Sequence, residues 1–178
     1  MIRKLYPLLA AILCVFLLSI IFVSPADAGD AEAILKLKQE IIEVQNKGKL
    51  GVQEFTLCAK VLNYASYYPL NENKVKRGTN LLLYYEPINW FTSAQQDRYE
   101  FYLTQDVVLE SAVGEVLFER KGLLSMHYNT SKPILDIYMT NDFNPGNLPA
   151  GKYRYLIVLH DMISGQEFKR NVDFELVD

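Results

Sequence analysis

Leu148-Pro149-Ala150-Gly151 opens the last thirty-one residues of the chain, followed by Lys152-Tyr153-Arg154-Tyr155-Leu156-Ile157-Val158-Leu159-His160. Pro and Gly in the first four mark a turn. From Lys152 the residues then alternate: Tyr153, Tyr155, Ile157 and Leu159 share one side, and Lys152, Arg154 and His160 the other. Asp161-Met162-Ile163-Ser164-Gly165 reverses the chain, after which Phe168, Val172, Phe174 and Leu176 alternate with Lys169, Asn171, Asp173 and Glu175. Alternation with period two on both sides of a Gly-containing turn predicts a β-hairpin with one buried face.

Upstream, from Phe55 onward, the same signals recur. Strands are expected near 55–64, 80–86, 99–109, 114–119, 123–128, 134–140, 152–160 and 168–177, where Tyr, Phe, Val, Ile and Leu are concentrated. Asn71-Glu72-Asn73, Arg77-Gly78, Asn129 to Pro133 and Asn144-Pro145-Gly146-Asn147 supply the breaks. About eight short strands with such turns predict an all-β antiparallel sandwich. No repeat and no alternation of strands with long helices points to a parallel α/β sheet.

Before the strands, Asp30 can cap a helix that runs to Lys47, and Gly48 can end it. Ile34, Leu37, Ile41 and Val44 recur at three and four residues among Glu and Lys, a narrow apolar stripe. It is read as packing on the sandwich or as a short spacer from a membrane; pairing with a second copy is the rival reading. The N-terminus carries Arg3 and Lys4, an apolar run from Leu8 to Val23, and Ala26-Asp27-Ala28 after Ser24-Pro25. That is the layout of a signal peptide cut after Ala28. The alternative is an anchor formed by residues 8–23. The expected organisation is a signal peptide over 1–28, an amphipathic helix or spacer over 29–50 and a β-sandwich domain over 51–178, exported to the periplasm or the cell exterior.

The full chain of 178 residues has 18 basic and 21 acidic residues. Losing Arg3, Lys4 and Asp27 leaves 16 and 20, a net charge of −4. This balance argues against nucleic acid as the main partner. Only Cys58 then remains of the two cysteines, so the fold is expected to rest on its core rather than on a disulfide. Its apolar neighbours Phe55, Leu57, Val61 and Leu62 predict a buried, unreactive thiol.

The Pro-Ala-Gly turn followed by Tyr153 resembles the tyrosine corner of immunoglobulin-like sandwiches. The order of several further elements extends the likeness. These are the Cys58–Tyr68 stretch, Arg77-Gly78 leading to Leu83-Tyr84-Tyr85-Glu86, then Asn89-Trp90-Phe91, the strand from Tyr99, and the closing hairpin with Asp161 and Ser164-Gly165. Together they resemble a group of uncharacterised exported bacterial proteins with an Ig-like, fibronectin-type sandwich, over about residues 55–177. The resemblance implies a fold and no catalytic residues.

Chemistry-bearing patterns are sparse. His127 and His160 have no second His or Cys at metal spacing, and no nucleophile elbow, phosphate-binding loop or dinucleotide fingerprint is present. Asp106, Glu110 and Glu115 could supply a carboxylate pair for glycoside hydrolysis. Asn141, Asp142, Asn144 and Asn147 could offer oxygens to calcium, although Asn-Pro-Gly-Asn is ordinary turn chemistry. No cofactor or metal is expected.

Aromatic residues are the compositional excess. Adjacent Tyr84 and Tyr85 must face opposite sides of a strand, and Pro87 is expected to stop regular pairing and place Trp90 and Phe91 in an end loop. Tyr84, Tyr85, Trp90 and Phe91 are therefore the expected binding residues, because exposed aromatic rings give contact area at low entropic cost. The rival readings are that the N-terminal helix covers the aromatic cluster and that one ring of Trp90-Phe91 plugs the end of the core. The leading expectation is a non-catalytic exported module that binds a protein in the envelope or outside the cell. A carbohydrate-binding module using Trp and Tyr is the alternative, and a small Asp/Glu hydrolase a third.

Overall fold

The structure, a computed structural model, describes residues Ala26–Asp178, with side chains from Gly29 onward. The signal-peptide or anchor segment expected at the N-terminus lies outside the described residues, apart from its last three. Among those described, no helix is long and apolar enough to cross a membrane. The chain divides into two units, one ending at Leu37 and the other running from Lys38 to Asp178.

One helix, α1 (Ala26–Lys47), precedes ten strands. They are β1 (Gly51–Asn63), β2 (Ser66–Pro69), β3 (Lys74–Lys76), β4 (Leu81–Ile88), β5 (Ser93–Gln95), β6 (Arg98–Ser111), β7 (Val116–Thr130), β8 (Met139–Phe143), β9 (Gly151–Asp161) and β10 (Glu167–Val177). A four-stranded sheet has the order β2-β1-β4-β8. A six-stranded sheet follows β3-β10-β9-β6-β5, with β7 also paired to β6. All pairs are antiparallel except β10 with β3. The described residues are thus mostly β, with two sheets and one helix.

Both sheets contribute to one core. Leu57, Leu83, Tyr85 and Met139 enter it from the four-stranded sheet, and Phe101, Leu103, Val107, Tyr155, Ile157 and Leu159 from the six-stranded one. The terminal hairpin matches its alternation: Tyr153, Tyr155, Ile157 and Leu159 are buried, as are Phe174 and Leu176 of the paired strand. At the hairpin's start, the Tyr153 hydroxyl donates to the Pro149 carbonyl at 2.8 Å. A buried phenol thus satisfies itself on the turn that precedes it.

Four expectations need correction. The strands expected at 114–119 and 123–128 are one long strand, β7. Gly122 takes a positive φ of 60° and carries the chain through an irregularity in the pairing with β6. The strand expected at 134–140 begins only at Met139 and ends at Phe143. Pro87 does not stop pairing: it sits opposite Val52, and β4 continues to Ile88. Proline is tolerated there because β8 leaves β4 after Tyr85, so Pro87 has a ladder neighbour on one side only.

The fourth correction concerns α1. It includes residues before Asp30, over Ala26–Lys47, and its apolar stripe is not what packs. Ile34, Leu37, Ile41 and Val44 are 54%, 58%, 49% and 71% exposed. Within the larger unit, the contacts come from the neighbouring face. Ile42 is buried, Gln45 Nε2 donates to the Trp90 carbonyl at 2.7 Å, and Gln39 Nε2 to the Tyr99 hydroxyl at 2.8 Å. Asn46 brackets Thr92, donating to its carbonyl at 2.9 Å and accepting from its N–H at 2.8 Å. Amide side chains here do the docking that the apolar residues were expected to do, because irregular backbone at Trp90–Thr92 offers groups without a ladder partner. At the helix end, a Cβ on Gly48 would lie 2.5 Å from Asn89 Cγ, so a larger residue here requires the Asn89 side chain to move.

Candidate functional site

Tyr84 and Tyr85 illustrate how one strand builds two environments. Their side chains leave β4 on opposite faces. Tyr85 points into the core, where its hydroxyl donates to Gln105 Oε1. Gln105 Nε2 donates to Asn141 Oδ1 at 2.6 Å, and the Tyr155 hydroxyl reaches the same oxygen at 3.4 Å. Gln105 and Asn141 are both buried, so each polar group in this network is held by another. Burial pushes the Tyr85 phenol well above its ordinary pKa.

Tyr84 takes the outer face of the four-stranded sheet, yet it is fully buried. Two other tyrosines cover it: Tyr67 stacks on it at 4.2 Å between ring centroids and Tyr138 at 5.6 Å. Tyr67 comes from β2, which folds back beside β1, and Tyr138 from the segment before β8. The Tyr84 hydroxyl accepts from the Ala65 N–H at 2.8 Å and donates to Glu86 Oε1 at 2.5 Å. Glu86 stands two residues along the same strand and is itself buried. Its other oxygen accepts from Gln53 Nε2 at 2.9 Å, across the β1–β4 ladder.

The pattern repeats at the periphery. The Tyr67 hydroxyl donates to Glu54 Oε2 at 2.6 Å, and the Tyr64 hydroxyl to Asp136 Oδ1 at 3.3 Å. Glu54 adopts a positive φ of 48° at the irregularity in the β1–β4 register, and this turns its side chain to Tyr67. The hydrogen bond to Glu54, with burial, lifts the Tyr67 phenol to about 12. Burial and the bond to Glu86 lift Tyr84, and burial with Asp136 lifts Tyr64. All three phenols therefore remain neutral donors at ordinary pH.

Three carboxylates thus gather on one face, each held by a tyrosine hydroxyl. Among the described residues none of the three forms an ion pair; the ion pairs of the larger unit lie elsewhere. Beside them is a cavity of about 190 Å³ lined by Gln53, Tyr64, Glu86, Trp90 and Asp136, among others. Tyr64 and Tyr68 are 38% and 58% exposed.

The four expected binding residues are dispersed by this arrangement. Tyr84 lies at the centre of the tyrosine–carboxylate face, though as a buried support. Tyr85 belongs to the core network. Trp90 is 2% exposed and packs on Phe101 at 5.8 Å, so its ring plugs the core; its Nε1 has no hydrogen-bond partner. Phe91 is half-buried and lines a different cavity, of about 390 Å³, with Gln39, Asn46, Thr92 and Tyr99. The exposed end loop expected for Trp90 and Phe91 is pinned instead. The buried Asp161 accepts the Phe91 N–H at 2.6 Å and the N–H groups of Ile163 and Ser164 at 3.0 Å each. Reading the sequence missed Glu86, Glu54 and Asp136. The available signal was Tyr84 and Glu86 two apart on one strand; no local pattern brings in Asp136.

Two of the other acidic candidates, Asp106 and Glu110, have local partners of their own. Asp106 accepts from the Gly122 N–H at 2.7 Å and contacts His160 Nε2 at 3.0 Å. Burial raises its pKa, but these bonds outweigh that and hold it below the usual value. Glu110 lies beside Arg154, 3.9 Å away. Asp142 accepts from Asn80 Nδ2 at 2.5 Å, and Asn144 closes its own turn by accepting from the Gly146 N–H at 2.8 Å. Among the described residues no cluster of three His, Cys, Asp or Glu has metal-binding geometry.

The sequence matches no protein-family model and no curated protein. Among solved structures, it is similar to an alkylpurine DNA glycosylase from Pseudomonas fluorescens, solved bound to DNA containing an abasic site analog. Identity is 10% and the TM-score 0.41, over 83% of this chain and 36% of that one. It is similar to a family 123 glycoside hydrolase from Clostridium perfringens, with 13% identity and a TM-score of 0.43 over 74% of this chain and 28% of that one. It is also similar to the CooA pilin subunit of enterotoxigenic Escherichia coli, with 12% identity and a TM-score of 0.32 over 74% and 99%. The chain spans about a third of the length of the first two. Likenesses at this level carry no argument about what the chain does.

Proposed function

We propose that this protein is a non-catalytic, exported Ig-like module that binds a protein partner through the tyrosine–carboxylate face of its four-stranded sheet. The Ig-like reading is supported by two sheets over one core and by the Tyr153–Pro149 bond, which has the form of a tyrosine corner. Export is supported by the basic start, the apolar run and Ala26-Asp27-Ala28. The observation that carries the binding reading is the set Glu54, Glu86 and Asp136. Each accepts from a tyrosine hydroxyl, and among the described residues none meets a cation. Carboxylates so oriented retain acceptor capacity, and half-exposed tyrosines beside them offer rigid contact area. The partner is a protein presenting Lys or Arg to this face.

Carbohydrate binding is the weaker reading. Sugar stacking wants open ring faces, whereas Tyr84 is covered by Tyr67 and Tyr138, and Trp90 is buried.

The test immobilises the exported chain and compares capture from envelope extract with that of an Asp136→Asn, Tyr64→Ser, Tyr68→Ser variant. These are exposed positions, so the melt should be unchanged. A band lost in the variant, and weakened in the parent at about 0.5 M salt, supports the reading. A band retained by the variant, or indifferent to salt, overturns it.

A further inference from the structure

We propose that α1 is a self-association element, through which two copies of this chain pair in parallel along Ile34, Leu37, Ile41 and Val44. This goes beyond the partner reading; of the four residues only Val44 also lines the cavity beside the tyrosine–carboxylate face.

The spacing of these residues is three, four and three, which is the a/d repeat of a coiled-coil seam. Each is about half exposed or more, while the helix docks onto the β unit through a separate face carrying Gln39, Ile42 and Asn46. A free helix of two heptads would be marginal because it must first order itself. Here the clamp of Asn46 on Thr92 and the bond from Gln45 to Trp90 already fix its last two turns. The order that pairing requires is therefore present in one copy for Ile41 and Val44.

Identity and charge choose the occupant and its direction. Ile34 and Ile41 take the a positions and Leu37 and Val44 the d positions; β-branched a residues with Leu in the first d position are the arrangement that favours two parallel strands. In parallel register Glu40 flanks Gln45 of the other copy and Ala33 flanks Lys38, so like charges do not meet. The antiparallel alignment that sets Ile34 against Val44 brings Glu40 against Glu40 and Lys38 against Lys38. A bilayer surface is a poorer occupant: Asp30, Glu32, Glu40 and Glu43 outnumber Lys36, Lys38 and Lys47, whereas helices that lie on anionic membranes are basic on their polar face.

The seam is short, so the dimer should be weak and dependent on concentration. Sedimentation of the exported chain should show monomer passing to dimer as concentration rises toward about 1 mM. Ile41→Asp should keep it monomeric with an unchanged melt. In a Cys58→Ala background, Val44→Cys should form a disulfide-linked dimer on mild oxidation, since a parallel seam sets each d residue beside its copy. A chain monomeric throughout overturns the proposal. So does crosslinking that requires Ile34→Cys together with Val44→Cys, which would mean antiparallel pairing. Loss on Ile41→Asp of sedimentation with phosphatidylglycerol vesicles, by a chain monomeric in solution, would assign the stripe to membranes and overturn it as well.

Discussion

Two tyrosine networks share strand β4 and differ in one respect. On the inner face, Tyr85, Gln105, Asn141 and Tyr155 join the two sheets, and each donor meets an acceptor that belongs to the same set. On the outer face, Tyr84, Tyr67 and Tyr64 each spend a hydroxyl on a carboxylate, and the negative charge is left without a cation among the described residues. The inner network is closed and works for stability. A low-dielectric interior makes any unpaired polar group there expensive, so selection for folding alone accounts for it. The outer network holds carboxylate acceptors beside half-exposed tyrosines, where another molecule can supply donors.

If that contrast is sound, perturbations should separate by face. The largest effect belongs to the core. Truncating its plug, Trp90→Ala, should destabilise by about 3–5 kcal/mol in denaturant melts, as large-to-small changes of buried aromatics do. A cost below about 0.5 kcal/mol would place the ring at the surface after all. Tyr85→Phe is smaller and more specific. It removes one hydroxyl and leaves Gln105 short of a donor, so it should cost about 1–3 kcal/mol. A neutral outcome would mean that water replaces the phenol and that the inner network is not closed.

Tyr67→Phe tests the other face. The ring still covers Tyr84, only the bond to Glu54 is lost, and the melt should move by roughly 0.5 kcal/mol or less. Partner capture should fall. Equal stability costs for Tyr67→Phe and Tyr85→Phe would erase the distinction between the faces.

The smallest effect is one of pH. The Tyr67 phenol is raised from 10 to about 12 in the folded chain. The folded form therefore holds this proton more tightly than the unfolded form. The associated stability is fully present below pH 10 and is lost as pH rises to about 12. Alkaline melts of the parent should steepen in that window relative to Tyr67→Phe. Parallel curves would show that the bond to Glu54 does not hold the proton.

How much of this was legible beforehand varies with the range of the interactions. Alternation over Tyr153–Leu159 and Phe174–Leu176 identified which side chains are buried, because period two is a property of the strand itself. The opposite directions of Tyr84 and Tyr85 followed from the same rule, and the turn before Tyr153 from its Pro and Gly. The helix and its stripe were visible as spacing. Spacing says which residues share a face, but not whether anything covers that face. It was Ile42 and three amides that met the β unit, leaving the apolar residues outside.

The exposure expected for Trp90 was not found, for a similar reason. Trp90 and Phe91 follow a proline, and a proline was taken to end the ladder. One-sided pairing let Pro87 stay in the sheet, and Asp161, seventy residues downstream of Phe91, pinned the loop that follows. What the sequence by itself determined is local: two-residue alternation, turns, the hairpin and the β character of the chain. What only the tertiary structure decided is company. Glu54, Glu86 and Asp136 lie on three different segments, and strand register and the fold-back of β2 bring them under Tyr67, Tyr84 and Tyr64. Such meetings cost chain entropy that is repaid only by the whole core, so no short stretch of sequence can announce them.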